Sequence, residues 1–194
     1  MIRKLTKDDY VISSWSGGKT IQIAIGPEGA VYADRDFLWR VSSATVELPE
    51  SDYTSLPDYD RFITPLNGQM ILTHNGGEAI DVEPFEVHEF DGADSTHCVG
   101  VCTDFNLMLR KGKAGGDMFV LEPDQENSIL MNPLTASQTI VLYVASGTAA
   151  VVLPDDTRLE AGEGEAAILT DEPAECLLET DSSAVVLAAM IELL

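Results

Sequence analysis

Along most of this chain apolar and polar residues alternate or run as short β-branched stretches, and glycine, proline, asparagine or aspartate interrupts them every few positions. A period of two puts successive side chains on opposite faces of a strand, and the frequent turn residues keep each strand short. Residues 20–25, 37–48, 61–66, 70–73, 117–121, 140–144, 149–153 and 184–190 read as strands on this basis. Helix signals are few: a capped turn at residues 6–10 and another at 51–56. The expectation is an all-β protein of sandwich or barrel type, with any helix at the periphery.

The strand pattern also repeats. When Gly68 is set against Gly147, the run from Gly68 to Leu72 faces the run from Gly147 to Val151. The Asn75-Gly76-Gly77 turn then faces Pro154-Asp155-Asp156, and Ile80-Asp81-Val82 faces Leu159-Glu160-Ala161. Each copy reads strand, tight turn, strand, a second turn near Pro84 or Gly162, then strand. This predicts two antiparallel β-barrel or jelly-roll halves in one chain, residues 1–115 and 116–194, packed as one compact unit. The division falls in the loop-like segment 112–116.

At 194 residues and 45% hydrophobic, the chain is able to bury a substantial core. Its 33 acidic residues against 11 lysines and arginines give a net charge of −22, which repels nucleic acid and anionic membranes and makes both poor partners. Most of that acidity reads as a solvated surface. Residues 1–14 meet Asp8 and Asp9 where a signal peptide would have an apolar core, and the apolar run 184–191 is far below the roughly 20 residues needed to span a bilayer. Cys98, Cys102 and Cys176 are odd in number and sparse, as in a reducing compartment. A cytoplasmic protein is expected, with exposed sheet edges that leave room for a homodimer.

Against this acidic background an arginine inside an apolar strand stands out. Arg40 lies in the run from Asp36 to Glu47, and Arg61 opens the strand that follows Tyr59-Asp60. A guanidinium stays charged and is costly to bury unpaired, so each requires an anion, water or an internal carboxylate such as Asp36 or Asp60. Alternation places Arg40, Ser42 and Ala44 on one face, Thr20 and Gln22 together on another strand, and Asp104, Asn106 and Met108 together on a third. Two arginines with such neutral groups suit a dicarboxylate or similar anion. The segment Gly17-Gly18-Lys19-Thr20 resembles the end of a phosphate loop, but Ser13 stands where the first glycine belongs and a strand follows where a helix is required. His74, His88 and His97 show no ligand spacing, so no metal and no cofactor is expected. No catalytic grouping is legible either.

Four motifs then match a known pattern. Trp-x-Gly-Gly-x-Thr-x-Gln (Trp15 to Gln22), Asp-Phe-x-Trp-Arg-x-Ser-x-Ala-x-Val (Asp36 to Val46), Tyr-x-x-Leu-Pro-x-Tyr-Asp-Arg-x-Ile (Tyr53 to Ile63) and Thr-Asp-Phe-Asn-Leu-Met (Thr103 to Met108) resemble the HutD/Ves family. The remaining third of the chain resembles it only in β pattern. The resemblance implies a bicupin fold without the usual metal-binding histidines, in proteins linked to histidine utilisation or stress responses. HutD members are proposed to bind formylglutamate. Carried over to this sequence, the ligand-binding residues are Trp15, Thr20, Gln22, Arg40, Ser42, Arg61 and Asn106. Residues 89–94 depart from the tighter Phe-x-Gly-Asp pattern of the family, and the acidity is atypical.

The leading reading is therefore a non-catalytic cupin that binds a small carboxylate. Two alternatives stand beside it. One is a cupin enzyme, either an isomerase or lyase with Asp104 or Glu47 as base, or a metal enzyme in which His74, His88 and His97 converge. The other is an interaction module whose acidic face binds a basic protein.

Overall fold

A computed structural model describes residues 1–121, 128–132, 134–171 and 174–194. Strands dominate, and among the described residues the one short helix is a 3-10 turn at Tyr32–Asp34. The chain divides into two compact units, one of residues 11–115 and one of residues 1–10 with 116–194. The first strand, β1 (Ile2–Leu5), explains why the opening residues go with the later unit: it pairs with a strand at Ala166–Thr170.

The unit of residues 11–115 contains two antiparallel sheets. One has the spatial order β2 (Val11–Trp15), β3 (Gly18–Gly26), β4 (Trp39–Val46), β11 (Cys102–Arg110), β6 (Tyr59–Gly68), β9 (His88–Asp91). The other has the order β5 (Glu50–Asp52), β10 (Thr96–Val99), β7 (Met70–His74), β8 (Ala79–Val82). Val46, Ile63, Met70, Leu72, Val82, Phe90, Cys98 and Cys102, drawn from both sheets, form a buried cluster. At the other end of the larger sheet Phe37, Leu56, Tyr59 and Met108 form a second, with Phe37 and Tyr59 stacked at 4.3 Å.

The later unit has a five-stranded sheet, β1, β17 (Ala166–Thr170), β14 (Gln138–Ser146), β19 (Val185–Leu193), β12 (Ala114–Leu121). Its second sheet is β13 (Ser128–Met131), β18 (Cys176–Thr180), β15 (Thr148–Val152), β16 (Arg158–Gly162). The pairing of β9, β6, β11 and β4 in one unit is matched by that of β17, β14, β19 and β12 in the other, and β8, β7, β10, β5 by β16, β15, β18, β13. Gly68 and Gly147 sit at the same crossover from one sheet to the other, with φ of 82° and 72°. At both, a left-handed backbone lets the chain reverse, and a Cβ would strike Val101 or Ala184 backbone atoms within 2.2 Å and 2.7 Å.

Three expectations need correction. The sheets do not close into barrels: among the described residues each unit keeps two separate sheets, because the chain changes sheet at its turns and each strand pairs within its own layer. Residues 51–56 form no helical turn; Ser51 and Asp52 instead pair with β10, and the Tyr53 N–H donates to the Thr96 carbonyl at 2.9 Å. The Gly-Lys segment 112–116 is a loop only to Lys113, since β12 begins at Ala114. By contrast, the turn at Thr6 forms, with the Thr6 N–H and hydroxyl both donating to the Asp9 carboxylate. The Gly17-Gly18 segment is a hairpin between β2 and β3, which disposes of a phosphate loop.

Candidate functional site

In the unit of residues 11–115 the register of the large sheet turns separate alternations into rows. Thr20 pairs with Ala44, and Ala44 with Asp104. One row along, Gln22 pairs with Ser42, Ser42 with Asn106 and Asn106 with Ile63. In the next, Arg40 pairs with Met108, Met108 with Arg61 and Arg61 with Phe90. The register shift between Gln22 and Ala24 keeps β3 in step with β4 while bending it. These rows form one wall of a cavity of about 250 Å³. Ser13 and Trp15 from β2, Tyr32 and Arg35 from the β3–β4 connection, and Asp52, Tyr53, Thr54 and Leu56 complete the lining.

Arg40 and Arg61 are both buried, at 4% and 6% exposure. Arg40 is held by neutral groups: its Nε donates to Gln22 Oε1 at 2.9 Å and its Nη1 to Ser42 Oγ at 3.1 Å. Its guanidinium also lies 4.2 Å from the Tyr32 ring centre, and Arg35 lies 3.8 Å from the same ring. Tyr32 is thus shared by two cations, a stabilising arrangement for each guanidinium. The connection carrying them is anchored through the Arg35 carbonyl, which accepts from Tyr59 Oη at 3.1 Å and Arg110 Nη1 at 3.2 Å. Arg61 packs against the rings of Phe90 at 4.8 Å and Tyr53 at 5.3 Å. Its Nε is buried without a hydrogen-bond partner, and so is Asn106 Oδ1.

No carboxylate lies within 4.0 Å of either Arg40 or Arg61 among the described residues. Internal pairing with Asp36 or Asp60 is therefore not how these charges are met. Burial pushes the Arg40 guanidinium down to about 10, with Tyr32 acting against the shift and Arg61 and Arg35 adding to it. Burial also lowers Arg61, against the pull of Tyr53 and Asp104. The one buried acid in the cavity is Asp104, which burial pushes up to about 7 against Arg61, the Ala44 backbone N–H and Arg40.

The structure brings together six of the seven residues expected from sequence, Trp15, Thr20, Arg40, Ser42, Arg61 and Asn106, as lining groups. Gln22 stands behind them as the group that orients Arg40. Trp15 is 38% exposed at the rim. Sequence reasoning missed Tyr32, Arg35 and Tyr53. In the run Asp34-Arg35-Asp36 nothing distinguishes a lining arginine from a solvated loop charge.

The three histidines do not converge on one point: His74 and His88 meet, and His97 lies apart. His74 Nε2 and His88 Nε2 lie 2.9 Å apart, joining β7 of one sheet to β9 of the other, while His74 Nδ1 meets Thr96 Oγ1 at 2.9 Å. His97 instead pairs with Asp52 at 2.8 Å. Among the described residues no three histidine, cysteine or acidic side chains cluster in metal-binding geometry, so the three-histidine metal alternative fails on position.

With this geometry in hand, comparison with known families is decisive at one level. The sequence pattern of HutD matches residues 7–187. The chain belongs to the HutD family. No curated protein sequence matches it. Among solved structures, a conserved protein of unknown function from Pseudomonas aeruginosa PAO1 superposes with a TM-score of 0.85 at 22% identity, covering 99% of both chains. HutD from Pseudomonas fluorescens SBW25 gives 0.78 at 20% identity over 100% of each. A cupin 2 conserved barrel domain protein from Leptotrichia buccalis gives 0.59 at 11% identity, covering 99% of this chain and 96% of that one. At these identities the likeness establishes the fold: this HutD-family chain is a cupin-like all-β protein. All the lining residues of the cavity fall inside the matched segment.

Proposed function

We propose that this protein is a non-catalytic bicupin that binds a small carboxylate in the unit of residues 11–115. Family membership points to formylglutamate as the ligand and to modulation of histidine utilisation in the cytoplasm as the role. The observation that carries the reading is the pair of buried arginines, in a chain with threefold more acids than bases, neither of which pairs with an acid. Burial of a cation with no carboxylate in direct contact is unfavourable, and an entering carboxylate relieves it with charge-assisted hydrogen bonds. Arg61 Nε supplies a donor, Arg40 is preset by Gln22 and Ser42, and Asn106 Oδ1 offers an acceptor to a ligand N–H or O–H. A cavity of about 250 Å³ suits a ligand with a short carbon chain rather than a nucleotide or peptide.

The test is a thermal-shift and calorimetric comparison of formylglutamate, glutamate, glutarate and urocanate. Ligand that binds only the folded protein raises the melting temperature. The reading expects a rise with the dicarboxylates, largest for formylglutamate, that disappears in Arg40→Ala. A protein indifferent to every carboxylate, or an Arg40→Ala variant that binds as well as the original, overturns it.

A further inference from the structure

The proposed anion site contains an acid that carboxylate binding alone does not explain. Asp104 lies near the centre of the large sheet at 4% exposure, between β4 and β6, and lines the same cavity as Arg35, Arg40 and Arg61. The charged and titratable groups around it are Arg40 from β4, Arg61 from β6, Tyr53 from the segment after β5, Cys98 from β10 and Cys102 from its own strand. A ligand carboxylate drawn to Arg40 and Arg61 enters a space where a second buried carboxylate already interacts with those cations.

We propose that anion capture in this cavity is proton-coupled: Asp104 takes up one proton from solvent as the ligand enters, so the site binds a carboxylate together with H⁺. The inference rests on the carboxylate-binding reading and adds its regulation. Two carboxylates that share buried guanidinium groups repel, and the cheapest relief is to neutralise the one that cannot leave. Protonated Asp104 also gains an O–H donor, which a ligand oxygen or a neighbouring acceptor is able to use. The other groups facing Asp104 do not titrate in the relevant range in its place: burial raises Tyr53 well above its ordinary value, raises Cys98, and pushes Cys102 up to about 12.

The sign follows from the direction in which Asp104 is displaced. Burial already holds it near neutrality, at about 7, without ligand. Below that pH Asp104 carries its proton in both states, and affinity is flat. Above it, binding must take a proton from solution, so affinity falls by up to tenfold per pH unit until the pKa of the complex is reached. The protein therefore holds its ligand more tightly as its surroundings acidify.

The experiment is isothermal titration of the full chain with glutarate and with formylglutamate at about pH 6 and about pH 8.5, in two buffers of different ionisation enthalpy. The expected result is proton uptake near zero at the lower pH and approaching one at the higher, with affinity weaker at the higher. Asp104→Asn should bind with no uptake and a flat pH profile. His97→Gln, which removes the titratable partner of Asp52 at the cavity wall, should leave the uptake unchanged. Ligand binding by the original protein without buffer-dependent heat at the higher pH overturns this inference alone, and so does uptake that is lost in His97→Gln. Failure of both ligands to bind at either pH overturns the inference together with the carboxylate reading. The two-buffer result on the original protein decides the matter even if Asp104→Asn does not fold.

Discussion

The two units of this chain have matching strand pairings and opposite interiors. The register of β6 with β11 and of β14 with β19 sets Arg61 against Ile140, Ile63 against Leu142, Asn106 against Ala188 and Asp104 against Val186 as equivalent positions. In the unit of residues 1–10 and 116–194 all four equivalents belong to one aliphatic cluster with Val144, Leu169 and Leu178. In the unit of residues 11–115 three of the four are polar or charged and line a cavity. The scaffold does not need a polar centre to fold, as the aliphatic unit demonstrates. The polar centre costs stability through buried, unpaired groups, and the carboxylate-binding proposal takes that cost as the mark of a site rather than of a core.

Exchanging residues between the units tests whether their interiors are interchangeable. The largest effect is expected from Val186→Asp, which gives the aliphatic unit the acid of its counterpart without the arginines. An unpaired charge in that core should cost roughly 3–5 kcal/mol, read by urea unfolding. A near-neutral result would mean that the later unit has a polar relief absent from its packing. The reverse exchange, Arg61→Ile, should abolish carboxylate binding while raising the stability of the ligand-free protein. Any gain comes from relief of the Arg61 desolvation, set against the lost attraction between Arg61 and Asp104. Loss of both binding and stability would instead make Arg61 part of the scaffold.

A smaller and pH-dependent effect distinguishes Asp104. Its folded-state pKa is raised to about 7 from an ordinary 3.8. As pH rises through that interval the unfolded chain releases a proton that the folded chain retains, so stability falls with rising pH and the loss is complete above about 7. Asp104→Asn should therefore raise the melting temperature at pH 8 and change it little near pH 4. His88 acts with the opposite sign: burial and His74 lower it, so its contribution is lost as pH falls below its ordinary 6.5. Melting curves of Asp104→Asn across that range separate the two, since the variant should lose the fall in stability between about pH 4 and pH 7 and keep the rise with pH that His88 contributes. A variant with an unchanged slope would show that Asp104 ionises freely in the folded protein.

Much of this architecture was legible in the residues. The longer strands, β3, β4, β6, β14 and β19, were readable because each holds a sustained alternation or β-branched run. Short strands such as β5, β9, β10, β13 and β18, of three to five residues, were not, because a strand that short is specified by the partner it pairs with. The stretch at Ser51 shows the competition: locally it reads as a helical turn, but pairing with β10 satisfies its backbone better.

Local sequence is enough to put Arg40 on one face with Ser42 and Asp104 on one face with Asn106, and to reverse both copies of the repeat at a glycine, because side-chain alternation and left-handed turns are properties of a few neighbouring residues. Long-range pairing is needed to set β11 between β4 and β6, to place the bulge beyond Gln22 that keeps β3 in register, and to bring Tyr32 and Arg35 to the cavity from a connection. Register and loop placement are fixed by pairings between residues far apart in the chain, where a slip of one position would turn every side chain to the other face.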